Sequence, residues 1–171
     1  MTPLQLYVLR QFRQLGIRHL VVGGQAMRAY GIDRATRDLD LWVARDATNA
    51  KAMTQFLHRV QSLSPLERLQ KPNFKFTVGD PAKPDVDILT SVAGDPSFDE
   101  MFQRKLNLKL DGETLDAVAP ADLLTIKEAA AAAQEADAAN GTLNDQDLRA
   151  AIGTAQKERK DIVFLRMWIG P

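Results

Sequence analysis

The segment Asp38–Val43 constrains the fold most, because its side chains alternate strictly in polarity. The odd-numbered positions are leucine, leucine and valine, whereas the even-numbered positions are Asp38, Asp40 and Trp42. A period of two residues is that of a β-strand, so we expect a strand whose apolar face covers a core. The same geometry predicts that the carboxylates of Asp38 and Asp40 lie side by side on the other face. Trp42 on that face either stacks against a planar ligand or covers the sheet.

Further apolar or alternating segments predict other strands. They lie at 19–22, 73–78 and 85–89, and two more flank the hairpin signal Asp111-Gly112. We therefore expect an α/β fold of the α+β kind, with a small mixed sheet of about five strands and flanking helices.

Helical periodicity is interspersed with these strands and then takes over the chain. The helices predicted among the strands are 2–15, 25–30 and 46–60. Pro120 opens a further helix, Asn144 caps a shorter one, and 157–168 forms another. The predicted organisation is a core of strands and helices at 1–119 and a helical segment at 120–171 that packs on it as one compact unit.

Composition excludes several kinds of chemistry. The 171 residues contain no cysteine, which excludes disulfides, thiolate zinc sites and cysteine nucleophiles. Histidines number only two, and 22 Lys and Arg balance 22 Asp and Glu, unlike a dedicated nucleic-acid-binding domain. Neither a signal peptide nor a run of ~20 apolar residues is evident, so we expect a cytoplasmic protein without a membrane segment.

Two glycines, Gly23-Gly24, separate the strand at 19–22 from the following helix. Glycines allow close approach of a ligand to the backbone, and N–H groups at such a junction favour phosphate. The alternative interpretation is an ordinary tight turn.

Acidic residues in strands are the second candidate feature. Asp38 and Asp40 share a face and are close enough to share a divalent cation, unless that face is simply solvated. Asp87 lies inside the apolar segment 86–89, where a carboxylate needs a partner. Asp85 is the rival on the same face. Three carboxylates beside a phosphate-binding turn describe a two-metal phosphoryl-transfer site.

The stretch Gly23–Val43 resembles the signature of the nucleotidyltransferase superfamily related to DNA polymerase beta. It is most similar to the form found in AbiEii-type toxin nucleotidyltransferases and in aminoglycoside and lincosamide nucleotidyltransferases. The matching residues are Gly23, Gly24, Arg34, Thr36, Asp38 and Asp40, followed by Asp87 as the third acid.

Segments 120–127 and 159–161 resemble the two helical segments that follow the core in the AbiEii-like group. Phe164 stands where that group has a further aspartate, and 128–158 cannot be aligned. The chain is also shorter than the antibiotic-modifying members, which argues against an antibiotic acceptor.

The resemblance implies that Asp38, Asp40 and Asp87 are catalytic and hold two Mg²⁺ ions, with Mn²⁺ as an alternative. It also implies nucleotide binding by Gly23, Gly24, Arg34, Thr36 and Lys127. From the residues alone, Thr36 is expected to support the loop before Asp38, and Lys127 could equally be a surface lysine.

The expected function is Mg²⁺-dependent transfer of NMP from an NTP to a hydroxyl acceptor, with release of pyrophosphate. The resemblance indicates an RNA acceptor, such as a tRNA 3′ end, or a partner protein, within a toxin–antitoxin pair. The alternatives are a non-catalytic or antitoxin-like module that binds nucleotide or a partner, and a site that holds a structural cation.

Overall fold

The computed structural model of the chain describes residues 1–61, 66–80, 83–140 and 143–170. The backbone divides into two units, Met1–Val118 and Ala119–Pro171. No helix among these residues combines the length and the apolar character needed to cross a bilayer.

The first unit is built on an open mixed sheet in the order β3-β4-β2-β1-β6-β5. Its strands are β1 (His19–Val22), β2 (Leu39–Val43), β3 (Lys75–Asp80), β4 (Lys83–Leu89), β5 (Leu106–Leu110) and β6 (Glu113–Ala117). The pairs β2–β4 and β1–β6 are parallel, and the remaining neighbours are antiparallel. The predicted mixed α+β class is confirmed, with six strands in the described residues rather than about five.

Five described helices accompany this sheet. They are α1 (Pro3–Gln14), α2 (Gly23–Ala29), α3 (Ala47–Arg59), α4 (Leu66–Leu69) and α5 (Phe98–Gln103). Thr2 caps α1 in a reciprocal capping box with Gln5, and Asp46 caps α3 through its side chain.

The core forms on one face of β2, as the alternation predicts. Leu39 and Leu41 are fully buried, and Phe12 of α1 meets Phe56 of α3 edge to face with ring centroids 5.0 Å apart.

The other face of β2 is covered at one end only. Trp42 is 1% exposed because Phe98 of α5 lies edge-on against its ring at 5.0 Å, so Trp42 covers the sheet. Asp40 and Asp38, toward the start of the strand, are half-buried. The accessible part of this face is therefore its acidic end.

The second unit contains two helices, α6 (Pro120–Ala139) and α7 (Asp145–Ile169). The prediction of two separate helices after Asn144 is wrong, because α7 runs through Gly153 without a break. A glycine in a helix costs only about 1 kcal/mol. The flanking Ala151 and Ala155 are buried, so packing favours a continuous helix.

Candidate active site

Three carboxylates meet on one face of the sheet. Asp40 and Asp87 are direct partners on the parallel strands β2 and β4, so their side chains leave the same face. Asp38 precedes Asp40 by two residues and follows the same direction. One carboxylate oxygen from each residue lies within 4.8 Å of the others. We call Asp38, Asp40 and Asp87 the acidic cluster.

The donor set of the acidic cluster fits a hard divalent cation. All three ligands are carboxylate oxygens, the type that Mg²⁺ and Mn²⁺ prefer. Three like charges at this separation repel one another, and a cation relieves that repulsion. Asp85, the rival candidate, lies outside this group.

Asp87 is the most buried member, at 4% exposure, and both of its oxygens have partners. The Thr77 hydroxyl donates to Oδ1 at 2.6 Å, and the Lys75 ammonium lies 2.6 Å from Oδ2. Thr77 is the direct partner of Asp87 across the antiparallel pair β3–β4. The buried charge of Asp87 is therefore compensated by an ion pair and a hydrogen bond.

Sequence reasoning did not include Lys75 or Thr77 in the site. The available signal was the alternation at 74–78, where these two polar residues stand between Phe74, Phe76 and Val78. That pattern shows that they share a face. It does not show which strand lies beside them, and the pairing with β4 is what brings them to Asp87.

Gly23 lies directly against the acidic cluster. Its φ of +65° is in the left-handed region that favours glycine, and a Cβ there would lie 3.1 Å from Cγ of Asp40, with an oxygen closer still. The β1–α2 turn and the acidic cluster are thus parts of one site, and only glycine allows this approach.

Gly24 and Thr36 form the neighbouring contact. A Cβ on Gly24 would lie 2.6 Å from Cβ of Thr36, so the missing side chain lets the loop before β2 approach the turn. The Thr36 hydroxyl donates to Oδ1 of Asp38 at 3.1 Å. Thr36 therefore holds Asp38, as expected for a supporting role.

Arg34 and Lys127, the two basic residues predicted to bind nucleotide, have different surroundings. Arg34 is half-buried in the loop that carries Thr36 and donates to the Ala35 carbonyl oxygen. Lys127, in the second unit, is 5% exposed, with Nζ 2.8 Å from Glu158 Oε2 and 2.7 Å from Asp161 Oδ2. Lys127 is therefore not a surface lysine, and its contact with nucleotide stays a prediction.

No protein-family model matches the chain, and no curated protein matches it significantly. The resemblance to nucleotidyltransferases therefore stays a prediction that depends on the motif residues.

Proposed function

We propose that this protein is a Mg²⁺-dependent nucleotidyltransferase that transfers a nucleoside monophosphate from an NTP to a hydroxyl group. The observation that carries the proposal is the convergence of Asp38, Asp40 and Asp87, with ligand atoms within 4.8 Å of one another. The Gly23 turn beside Asp40 supports it further, because backbone approach suits a phosphate chain. Clustered carboxylates beside such a turn are suited to phosphoryl transfer.

Asp38, Asp40 and Asp87 would hold the divalent cations through their carboxylate oxygens. When bound, Mg²⁺ neutralises charge on the transferring phosphoryl group and lowers the pKa of the acceptor hydroxyl. Thr36 and Thr77 orient Asp38 and Asp87 by hydrogen bonds. Gly23 and Gly24 would cradle the terminal phosphates of the NTP, and Arg34 would bind them or hold the loop.

The proposed reaction is an in-line displacement at the α-phosphorus. The acceptor oxygen forms a bond to that phosphorus, and the bond to the oxygen bridging to the β-phosphorus breaks. Pyrophosphate leaves with the bridging oxygen and its electron pair. Asp87 would orient the acceptor hydroxyl or take its proton, and the exposed Lys75 ammonium would first have to leave Oδ2.

The acceptor we propose is an RNA end, such as a tRNA 3′ end, with a partner-protein hydroxyl as the alternative within a toxin–antitoxin pair. The balanced charge, 22 against 22, fits a contact limited to one RNA end, since few phosphates are then neutralised.

The test is incubation of the purified protein with each α-labelled NTP, Mg²⁺ and either total RNA or cell lysate. Labelled product and equimolar pyrophosphate are expected. The Asp38→Asn plus Asp40→Asn double variant should abolish both signals. Turnover retained in that variant, or nucleotide binding without pyrophosphate release in the wild type, would exclude the proposed reaction.

The second candidate is a non-catalytic module that binds nucleotide or a partner. The Lys75–Asp87 ion pair favours it, because it satisfies Asp87 without a cation. Binding of NTP that is independent of Mg²⁺, with no turnover, would support this module.

A further inference from the structure

Gln5 lies on α1, and its side chain links the residue segment just before β2 to the strand β4. Its side chain is fully buried, and Nε2 donates to the carbonyl oxygens of Arg37 at 2.7 Å and Asp85 at 2.9 Å. Oε1 accepts from the Thr2 backbone N–H at 3.0 Å. Both amide hydrogens and the amide oxygen are thus engaged, and each bond goes to the backbone.

The two carbonyls belong to the segments that carry the acidic cluster. Arg37 immediately precedes Asp38, and Asp85 lies two residues before Asp87 on β4. The described β2–β4 partners begin at Leu39 and Val86, so the Gln5 amide joins the two segments just before their pairing starts. It supplies a cross-link at the end of the strand pair where carboxylates repel each other.

We propose that Gln5 is a positioning residue for the acidic cluster, setting the spacing between Asp38 and Asp87. The inference rests on the proposed cation site. Without the amide, the segment at Arg37 loses its tie to β4, and repulsion between Asp38 and Asp87 drives the segments apart. A cation then binds to ligands that are no longer held at the right separation, which lowers its affinity.

Asn49 provides a matched control within the same unit. Its side chain is buried, Oδ1 accepts from the Arg18 N–H at 2.7 Å, and Nδ2 donates to the Arg18 and Ala44 carbonyl oxygens at 3.1 and 2.8 Å. Arg18 precedes β1 and Ala44 follows β2. This amide therefore joins β1 to β2 at the end of that antiparallel pair away from Asp40. Loss of Asn49 removes a comparable buried amide far from the carboxylates.

The experiment measures Mn²⁺ affinity by calorimetry on the full chain, without nucleotide. The variants are Gln5→Met, similar in volume but without donors, and Asn49→Leu. We expect Gln5→Met to weaken Mn²⁺ binding by about tenfold or more, as for other residues that orient metal ligands, and Asn49→Leu to change it less than twofold. Gln5→Leu also removes both donors without placing a charge against the two carbonyl oxygens, and it replaces Gln5→Met if that variant does not fold.

The outcomes separate the two proposals. Equal affinity in the wild type and the Gln5 variants overturns the positioning role and leaves the cation site intact. An equal loss in Asn49→Leu also overturns it, because general loosening of the unit then explains the effect. A wild type that binds no Mn²⁺ overturns the cation site itself, and the positioning role with it.

Discussion

Asp40 on β2 and Asp87 on β4 lie opposite each other in a parallel strand pair, with their carboxylates on the same face. Asp87 is buried, whereas Asp40 and Asp38 are both half-buried, so the accessible carboxylates of the acidic cluster are the two that β2 and its preceding residue carry. Substitutions of the acids, of Gly23 and of Lys75 should therefore change cation binding in different ways.

Asp87→Asn should lower NTP turnover by at least about 100-fold, because it removes a ligand charge while keeping the side-chain shape. Mn²⁺ affinity should fall as well. Asp85→Asn is the control, since Asp85 shares the strand and face but lies outside the acidic cluster. It should retain turnover within about threefold. Comparable losses in both variants would contradict the assignment of Asp87.

Gly23→Ala should destabilise the protein and abolish Mn²⁺ binding, because the new Cβ meets the Asp40 carboxylate. Gly31 is the control: its φ of +87° carries similar backbone strain, but a Cβ there meets nothing within 4 Å. Gly31→Ala should cost about 1 kcal/mol in urea unfolding and leave Mn²⁺ affinity unchanged, whereas Gly23→Ala should cost more. Intact Mn²⁺ binding in Gly23→Ala would argue against the close approach.

Lys75→Met should strengthen Mn²⁺ binding by roughly three- to tenfold, about 1 kcal/mol, because the ammonium competes with the cation for Asp87 Oδ2. The effect is modest since the Lys75 side chain is 56% exposed and solvent screens it. Lys109→Met, which removes an exposed lysine from the opposite edge strand, should leave the affinity nearly unchanged. Weaker binding in Lys75→Met would mean that the lysine supports the site instead.

His19 predicts a pH effect on stability. Burial lowers its pKa below the usual 6.5, although a contact between Nδ1 and the Ile17 carbonyl opposes the shift. As the pH falls, the His19 imidazole therefore takes up a proton at a higher pH in the unfolded chain than in the folded chain. The free energy of unfolding consequently falls as the pH drops below about 6.5. One proton contributes at most about 1.4 kcal/mol per pH unit.

His19→Gln should flatten this decline below about pH 6.5, measured by urea unfolding at several pH values. His58→Gln removes an exposed imidazole from α3 and controls for loss of a histidine. A decline that persists unchanged in His19→Gln would assign it to other groups.

Lys127→Met should lower the free energy of unfolding of the second unit, Ala119–Pro171, by about 3 kcal/mol. The reason is that Glu158 and Asp161 both lose the buried ammonium group that they share. Lys160→Met removes an exposed lysine from α7 and should have little effect. Helix content followed by circular dichroism in urea tests both variants. Equal stability of Lys127→Met and the wild type would contradict the structural role of this ion pair.

The acids of β2 were predictable because alternation is a local property. The strand geometry of residues 38–43 places Asp38 and Asp40 together whatever lies around them. The single helix α7 was not predictable in the same way: Gly153 weakens a helix locally, and the buried Ala151 and Ala155 outweigh it.

The sequence by itself determined the kind of chemistry open to this protein, because it lacks cysteine, places carboxylates within apolar strand segments and puts paired glycines at a strand end. Only the tertiary structure decided which groups meet. The parallel register of β2 and β4 brings Asp87 to Asp40, and β3 adds Lys75 to the same carboxylate. The physical reason is that strand order and register depend on burial and hydrogen bonding across the whole sheet, including the Gln5 cross-link, and no local pattern encodes them.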